Sequence, residues 1–153
     1  MDFEIRDARP ADQQQLLALL PRLAAFNVPP HREPQHLWEH DAELLQRCLA
    51  GAAPQCFAQV AEGDTGILGV TLTTLRPDLL NDEPGAHLEV IAVSAVAEGQ
   101  GVAKALLAAA EAEARLRGAA SITLHVIESN ERARGFYEYS GYVAEMLRYI
   151  KPL

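Results

Sequence analysis

The chain has 153 residues, a length that fits one domain with its own hydrophobic core. Hydrophobic residues make up 49% of it and the formal net charge is −8, which is typical of a globular protein and argues against a nucleic-acid partner. The chain has no apolar run long enough to span a membrane, no signal-peptide pattern and only two cysteines, so we expect a cytoplasmic protein without membrane association.

The predicted elements alternate between strands and helices. The first part of the chain predicts a strand over 3–6, an amphipathic helix over 10–25, a proline-rich loop over 27–34 and a helix over 35–50. The middle predicts strands over 55–61, 66–75 and 87–93. The last part predicts a helix over 101–117, a strand over 121–127, a short helix over 130–140 and a final strand over 142–150. This order predicts a single α/β (α+β) domain over 1–153.

A glycine-bearing loop joins the predicted strand over 87–93 to the helix that begins near Gly101. No polar side chain caps the start of that helix, whose free N–H groups carry the positive end of the helix dipole. Gly99 and Gly101 allow a ligand to approach these amides closely. The pattern therefore predicts a bound anion at the helix start, most simply a phosphate group.

The acidic residues are concentrated in the first part of the chain. Residues 1–97 contain fourteen acids and six bases, whereas residues 98–153 contain seven of each. A phosphate ligand at the glycine loop would therefore meet a neutral region. A second substrate that approaches the N-terminal part would meet negative potential, which favours a cation.

The element order, the glycine loop and the segment from Asn130 to Tyr142 together resemble the GNAT superfamily of N-acetyltransferases over nearly the whole chain. Gly101 and Ala103 match the family's pyrophosphate-binding pattern, Arg/Gln-x-x-Gly-x-Gly/Ala, but Glu98 stands at its first position. The later segment matches Asn-x-x-Ala-x-x-Phe/Leu-Tyr-x-x-x-Gly-Phe/Tyr at every specified position. The resemblance implies a GNAT-like mixed, mostly antiparallel central sheet with splayed strands 4 and 5, flanked by about four helices.

The resemblance also implies acetyl-CoA (coenzyme A) as cosubstrate, with no metal. The pyrophosphate is expected at the glycine loop, and the pantetheine arm in the gap between the splayed strands. The residues implied in cofactor binding are Ile91, Ala92, Val93, Gly99, Gln100, Gly101, Val102, Ala103, Lys104 and Asn130. The Val93 amide is the candidate for polarising the thioester carbonyl, whereas Asn130 can both cap the short helix and reach the cofactor, with a helix cap alone as the alternative. Glu98 would repel a pyrophosphate, so we expect weaker binding rather than its loss.

Acyl transfer to an amine needs an acid for the departing thiolate and a base for the amine proton. Tyr137 matches the family's usual general acid. His125 and Glu89 are the candidate bases, since histidine changes charge near neutral pH and other family members use a glutamate on the fourth strand. His87 is a third, weaker candidate, and a water relay would make any single base dispensable.

The acceptor pocket is implied between the first two helices and the sheet. Phe26, Trp38 and His87 are its candidate lining residues, although core packing explains Phe26 and Trp38 equally well. The resemblance implies transfer of an acetyl group by direct attack of a primary amine, carried by a small cationic molecule or a peptide. The oligomeric state stays open, with a homodimer common in the family.

Two other functions compete with this interpretation. Glu98 motivates a non-catalytic acyl-CoA-binding module. The segment from His36 to His40 reads His-x-x-Glu-His, the pattern of inverted zinc peptidases, and on one helix His36 and His40 would share a metal beside Glu39 as base. A zinc metallohydrolase is therefore the third hypothesis, although a five-residue match has a high rate of chance occurrence.

Overall fold

Five strands form one sheet in the computed structural model, which describes residues 1–153. They are β1 (Phe3–Asp7), β2 (Cys56–Gly63), β3 (Gly66–Leu75), β4 (Gly85–Val93) and β5 (Ser121–Leu124). The strands lie side by side in chain order, antiparallel from β1 to β4, whereas β5 runs parallel to β4. The mixed, mostly antiparallel sheet predicted from the sequence is confirmed.

Four α-helices flank the sheet, as predicted. They are α1 (Gln13–Leu19), α2 (Glu39–Leu49), α3 (Val102–Leu116) and α4 (Glu131–Tyr139). Short 3-10 turns extend α1 on both sides, and one of them, Leu20–Ala24, begins with Pro21 in its first turn. Proline has no N–H to continue the α-helical hydrogen bonds, which is why the predicted helix over 10–25 is divided. None of the helices combines the length and apolar character that crossing a membrane requires.

The helices cover both faces of the sheet. On one face, Leu16 and Leu20 of the first helical segment and Leu45 of α2 pack on inward-facing side chains of the central strands. On the other face, α3 contacts the sheet through Leu106, Leu107, Ala110 and Ala114. Burying an aliphatic side chain of this size stabilises a fold by about 1.5–3 kcal/mol. The two helical layers therefore bury the apolar side chains on both faces of the sheet.

The sheet opens between β4 and β5. The two strands pair only from Gly85 to Leu88 on β4 and from Ser121 to Leu124 on β5. Against β3, Thr73 pairs with Leu88 and Leu72 pairs with Val90, so Glu89 is the extra residue of a β-bulge. The bulge bends β4 at the point where β5 ends. This divergence is the splay that the sequence resemblance implied.

The chain after α4 differs from its prediction. The sequence over 142–150 predicted a final strand, but no strand forms there, and β5 ends at Leu124 rather than at residue 127. No backbone hydrogen bond within the chain involves an amide after that of Tyr142. A strand needs a neighbour to accept its ladder hydrogen bonds, and this segment has none within its own chain.

Candidate active site

The loop between β4 and α3 presents a row of free backbone amides. Gly99 and Gly101 adopt left-handed φ angles of 72° and 83°, and a Cβ atom at either position would meet nothing within 4 Å. The N–H groups of Gly99 and of residues 101–104 have no backbone acceptor within the chain. No side chain caps α3, whose first turn has no acidic residue, and Gln100 and Lys104 are exposed beside it. This arrangement can bind an anion through backbone N–H groups.

Glu98, at the start of this loop, is neutralised by two arginines from distant parts of the chain. Arg22, which follows α1, donates to its Oε1, and Arg132 of α4 donates to its Oε2 at 3.0 Å. The hydrogen bond from Arg132 is the largest cause that lowers the pKa of Glu98, and the charge of Arg22 acts in the same direction. The cluster of one acid and two bases is therefore cationic. Sequence reasoning missed it, because the three residues lie far apart along the chain.

The register of β4 decides which backbone groups face the gap. The Ser94 amide donates to the Leu68 carbonyl at 2.8 Å, which makes Gly69 and Val93 a non-hydrogen-bonded pair of the antiparallel ladder. The N–H and C=O groups of Val93 and Ile91 therefore point away from β3 and into the gap. Those of Ala92 point toward β3, so only two of the three residues predicted along β4 offer backbone partners there.

The Val93 carbonyl already has a partner within the chain. The Arg22 Nε donates to it at 3.2 Å, while the Val93 amide stays free. The same arginine thus contacts both Glu98 and the end of β4. Its guanidinium fixes the orientation of the last peptide group that borders the gap.

Tyr137 lies on α4 with its hydroxyl free of hydrogen bonds to the chain. Its ring packs against those of Phe136 and Tyr142, with centroids 5.5 and 5.9 Å away. Burial alone raises the pKa of Tyr137 to about 12, so the phenol is neutral at ordinary pH. Tyr142, by contrast, donates its hydroxyl to Glu111 at 2.8 Å. Of the two, only Tyr137 can supply a proton to a ligand.

His87 and His125 meet at the junction of β4 and β5. Their ring centroids are 4.6 Å apart in an edge-to-face arrangement, and the Nδ1 of His87 bonds the Thr123 hydroxyl at 2.8 Å. His87 is buried, and burial together with the charge of Arg76 lowers its pKa to about 4. It is therefore neutral near pH 7. His125 lies just past the end of β5 and is exposed.

Glu89, the bulge residue, is half-buried and lies close to a second carboxylate. Arg76 approaches it, with Nη1 and Oε1 3.9 Å apart. Burial, and next the charge of Glu89, raise the pKa of Asp41 on α2 to about 6. The charge of Glu89 on β4 thus disfavours ionisation of Asp41 on α2. Sequence reasoning missed Asp41, although its place one turn before the buried Leu45 puts both on the inward face of α2.

The remaining predicted residues have mainly structural contacts. The Asn130 side chain accepts from the Ala133 amide at 3.2 Å and caps α4, leaving its NH₂ group free. Trp38 packs on the core cluster beneath α1 and α2. Phe26 is half-buried beside Asn27, whose carbonyl accepts from the Ser129 hydroxyl at 2.8 Å. This bond ties the loop that carries Phe26 to the segment before α4.

The His-x-x-Glu-His segment does not form the single helix that a zinc site needs. His36 belongs to the 3-10 turn Pro34–Leu37, and α2 begins only at Glu39 because Trp38 breaks the helical conformation. His36 and Glu39 make a weak, largely exposed ion pair at 4.0 Å. No group of three or more metal-ligating side chains comes together in the structure. The premise of the metallohydrolase hypothesis, two histidines one turn apart on a helix, is wrong.

Comparison with known proteins gives the family. The "Putative acetyl transferase from Pyrococcus furiosus" has 27% identity and a TM-score of 0.80, with 99% of this chain and 100% of that chain covered. A ribosomal-protein-alanine N-acetyltransferase from Brucella melitensis has 20% identity and a TM-score of 0.72, covering 99% of both chains. AAC(6')-Iy, in complex with the bisubstrate analog CoA-S-monomethyl-acetylneamine, has 22% identity and a TM-score of 0.73, covering all of both chains.

None of the curated proteins compared with the chain matches it. The family model described as "Acetyltransferase (GNAT) family" matches residues 20–142, which include the glycine loop, the gap between β4 and β5 and all of α4. The chain belongs to the GNAT acetyltransferase family.

Proposed function

We propose that the protein is an N-acetyltransferase that moves the acetyl group of acetyl-CoA to a primary amine on a cationic small molecule or peptide. The observation that carries the proposal is the gap between β4 and β5, together with the free backbone amides at the start of α3 that follow β4. The family uses acetyl-CoA, and the loop before α3 offers backbone donors for it, while Tyr137 of α4 is our candidate proton donor.

The chain's residues fit the cosubstrate at two places. The amides of Gly99 and of residues 101–104 are free donors for a pyrophosphate, and the open space at both glycines lets it approach. Gln100 and Lys104 are exposed beside these amides, and the side-chain NH₂ of Asn130 is a further donor. Along β4, the backbone groups of Ile91 and the amide of Val93 would pair with the pantetheine arm.

The chemical roles follow from charge and exposure. Acetyl-CoA supplies an acyl thioester, whose carbonyl the Val93 amide would polarise. Tyr137, neutral because of its raised pKa, would donate the proton that the leaving thiolate needs. We assign the base, or the positioning of a water that acts as base, to Glu89, because the bulge turns it toward α2 and its carboxylate is partly buried. His125 is the second candidate.

The acceptor class is inferred from charge. Asp41 on α2 and Glu89 on β4 form an acidic pair, and an ammonium group placed between them would relieve their repulsion. The acidic first part of the chain adds negative potential over the same side. Phe26 and Trp38, both half-buried, flank this approach and are our candidates for its apolar wall.

A panel assay tests this function. The purified chain is incubated with acetyl-CoA and amines of graded charge, including an aminoglycoside, a polyamine, a peptide with N-terminal alanine and a neutral primary amine, and free thiol is measured. We expect turnover that rises with the positive charge of the acceptor. Calorimetry with acetyl-CoA is the parallel measurement. Tight binding without turnover on any amine would contradict the proposal and favour a non-catalytic acyl-CoA-binding module.

A further inference from the structure

Arg22 connects two parts of the chain that lie far from it in sequence. Its Nε donates to the Val93 carbonyl at 3.2 Å, and its Nη2 donates to Oε1 of Glu98. The two donors share one edge of the planar guanidinium, so a single rigid group makes both bonds. The Arg22 side chain is 32% exposed and is thus partly shielded from water. Such a group can fix the position of its two partners relative to each other.

The backbone that carries Arg22 is itself fixed by the core. Arg22 lies in the 3-10 turn Leu20–Ala24, in which Leu20 is fully buried and Leu23 packs on the same core cluster. The Arg22 carbonyl accepts from the Ala25 amide at 3.1 Å, which closes the turn. The guanidinium therefore extends from a well-anchored base.

The two partners of Arg22 stand at the two ends of residues 94–97, which we call the connector. Val93 is the last residue of β4, and Glu98 begins the glycine loop before α3. In the proposed function, the Val93 amide polarises the thioester carbonyl, and the free amides that follow Glu98 bind the pyrophosphate. The connector thus separates the groups that bind two distant parts of one cosubstrate, and Arg22 fixes both of its ends.

The peptide group between Val93 and Ser94 is held from both sides. Its N–H donates to the Leu68 carbonyl at 2.8 Å, and its C=O accepts from Arg22. Because both groups are bonded, the backbone at Val93 cannot rotate freely, and the Val93 N–H keeps its direction into the gap. The connector has a bond of its own, from the Ala97 amide to the Ser94 carbonyl at 3.0 Å, and Ala97 is buried. The connector can therefore keep its turn when Arg22 is replaced.

We propose that Arg22 is a positioning residue for acetyl transfer, which holds the Val93 amide and the pyrophosphate-binding loop at one fixed separation, so that the thioester carbonyl meets this amide when the phosphates are bound. The inference rests on the proposed function, because it assigns part of that reaction to Arg22. In this role Arg22 acts through Val93 and Glu98. Arg132 of α4 donates to the other oxygen of Glu98, so the same connection reaches the helix that carries Tyr137.

Charge and positioning make different demands on this side chain. A lysine keeps the positive charge that attracts an anionic cosubstrate, but its ammonium lacks the rigid fork that binds Val93 and Glu98 together. We therefore expect Arg22→Lys to bind coenzyme A within about twofold of the parent, and to lower kcat at least about tenfold with an unchanged KM for acetyl-CoA. Arg115→Lys, at an exposed position in the last turn of α3, is the matched control and should change none of these constants.

The amide spectrum of the isotope-labelled chain gives a measurement that needs no turnover. Acetyl-CoA is expected to shift the amide signals of both Gly101 and Val93 in the parent. In Arg22→Lys, the Gly101 shift should remain, which also shows that the variant is folded, whereas the Val93 shift should fall at least about twofold. In the free chain, the Ser94 amide should exchange at least about fivefold faster in the variant, because its peptide group has lost one of two bonds.

The outcomes separate this inference from the proposed function. If no amine is acetylated, the transfer activity fails, but a Val93 shift that Arg22→Lys loses still supports placement of the thioester by Arg22. A parent whose Val93 amide does not respond to acetyl-CoA overturns the inference. An Arg22→Lys variant with the kcat of the parent also overturns it. So does a variant whose affinity for coenzyme A falls as much as its kcat, because Arg22 would then act through charge alone.

Discussion

Arg132 of α4 donates a hydrogen bond to Glu98 across 3.0 Å and so connects the last helix to the loop that precedes α3. Arg22 donates to the other carboxylate oxygen of Glu98. The family's pattern has Arg or Gln at this loop position, whereas this chain has an acid that binds two arginines. The sequence predicted weaker cofactor binding from Glu98. The geometry changes that expectation, because the local net charge is positive.

The first prediction concerns Arg132. Its side chain is 75% exposed beside the loop, where it can contact both Glu98 and a bound phosphate. We expect Arg132→Ala to raise KM for acetyl-CoA roughly three- to tenfold, with little change in kcat, because a charge-assisted contact to the ground state is lost. Arg134→Ala is the control, since Arg134 lies on the same helix as Arg132 but pairs with Glu128 in the segment before that helix. Equal effects of the two substitutions on KM would refute a specific role of Arg132 in binding acetyl-CoA.

The second prediction concerns Glu98 itself. Glu98→Gln removes the negative charge but leaves Arg22 and Arg132 in place, so we expect tighter binding of coenzyme A by calorimetry, with a stronger dependence on salt. If the carboxylate serves instead to hold both arginines in position, the variant would bind more weakly than the parent. Weaker binding would show that Glu98 favours coenzyme A binding by positioning Arg22 and Arg132, and that its negative charge does not oppose binding.

The third prediction concerns the proton donor. Tyr137→Phe removes only a hydroxyl that has no partner in the chain, so we expect unchanged stability and unchanged coenzyme A affinity. Turnover should fall about 100-fold or more, within the usual range for loss of a general acid. Tyr139→Phe changes a tyrosine that is 86% exposed on the same helix and should have no effect. Unchanged turnover for Tyr137→Phe in a steady-state assay would exclude the role.

The fourth prediction separates the two candidate bases. Glu89→Gln should lower kcat/KM about 100-fold, because a glutamine cannot accept the amine proton. His125→Gln, at the exposed end of β5, should lower it by less than about fivefold. The reverse order of effects would assign the base to His125. A small effect of both would indicate a water relay without a single essential base.

The fifth prediction is a pH dependence of stability at Asp41. Its pKa of about 6 lies above the ordinary value, so the folded state binds a proton more tightly than the unfolded chain. Stability from this group is therefore lost as the pH rises from about 4 through 6. Asp41→Asn should stabilise the fold by about 1–2 kcal/mol above pH 6, with allowance for partial solvent exposure, and by nothing near pH 4. Urea unfolding at both pH values measures this change in the free energy of unfolding, with Glu43→Gln at an exposed position of the same helix as control.

The fold was predictable from local signals. The period of the apolar residues gave the helices and strands, Gly101 marked the start of α3, and the Asn130–Tyr142 pattern identified the family. The predicted helix boundaries were wrong where a single residue changed the local backbone geometry. Pro21 divides the first predicted helix, and Trp38 makes α2 begin later in the chain than predicted. The prediction of a final strand over 142–150 was wrong for a different reason. Its residues favour a strand, but a strand forms only where the segment pairs with a sheet edge, and residues 142–150 pair with none in the single chain.

The site was predictable only where its residues share a segment. Tyr137, Asn130 and the glycine loop lie within recognisable patterns, whereas the contacts of Glu98 span 76 and 34 residues and leave no local trace. The pKa of His87 depends on burial by surrounding elements, which no sequence period reports. The helical spacing of Asp41 from Leu45 could have indicated that Asp41 lies on the inward face of α2. Acidic residues are uncommon on such faces, however, and the spacing alone does not identify which residue of the sheet Asp41 faces.

The bulge at Glu89 divides β4 into two halves with opposite rules for side-chain direction. Before it, the even-numbered Ala86 and Leu88 face α3; after it, the even-numbered Val90 and Ala92 face α1 and α2. Deleting one residue here would restore a regular ladder and turn the first half over, burying the imidazole of His87 against α3 and exposing Leu88 to the acceptor side. Transplanting an acceptor pocket from a relative onto this chain therefore requires aligning the two halves of β4 separately.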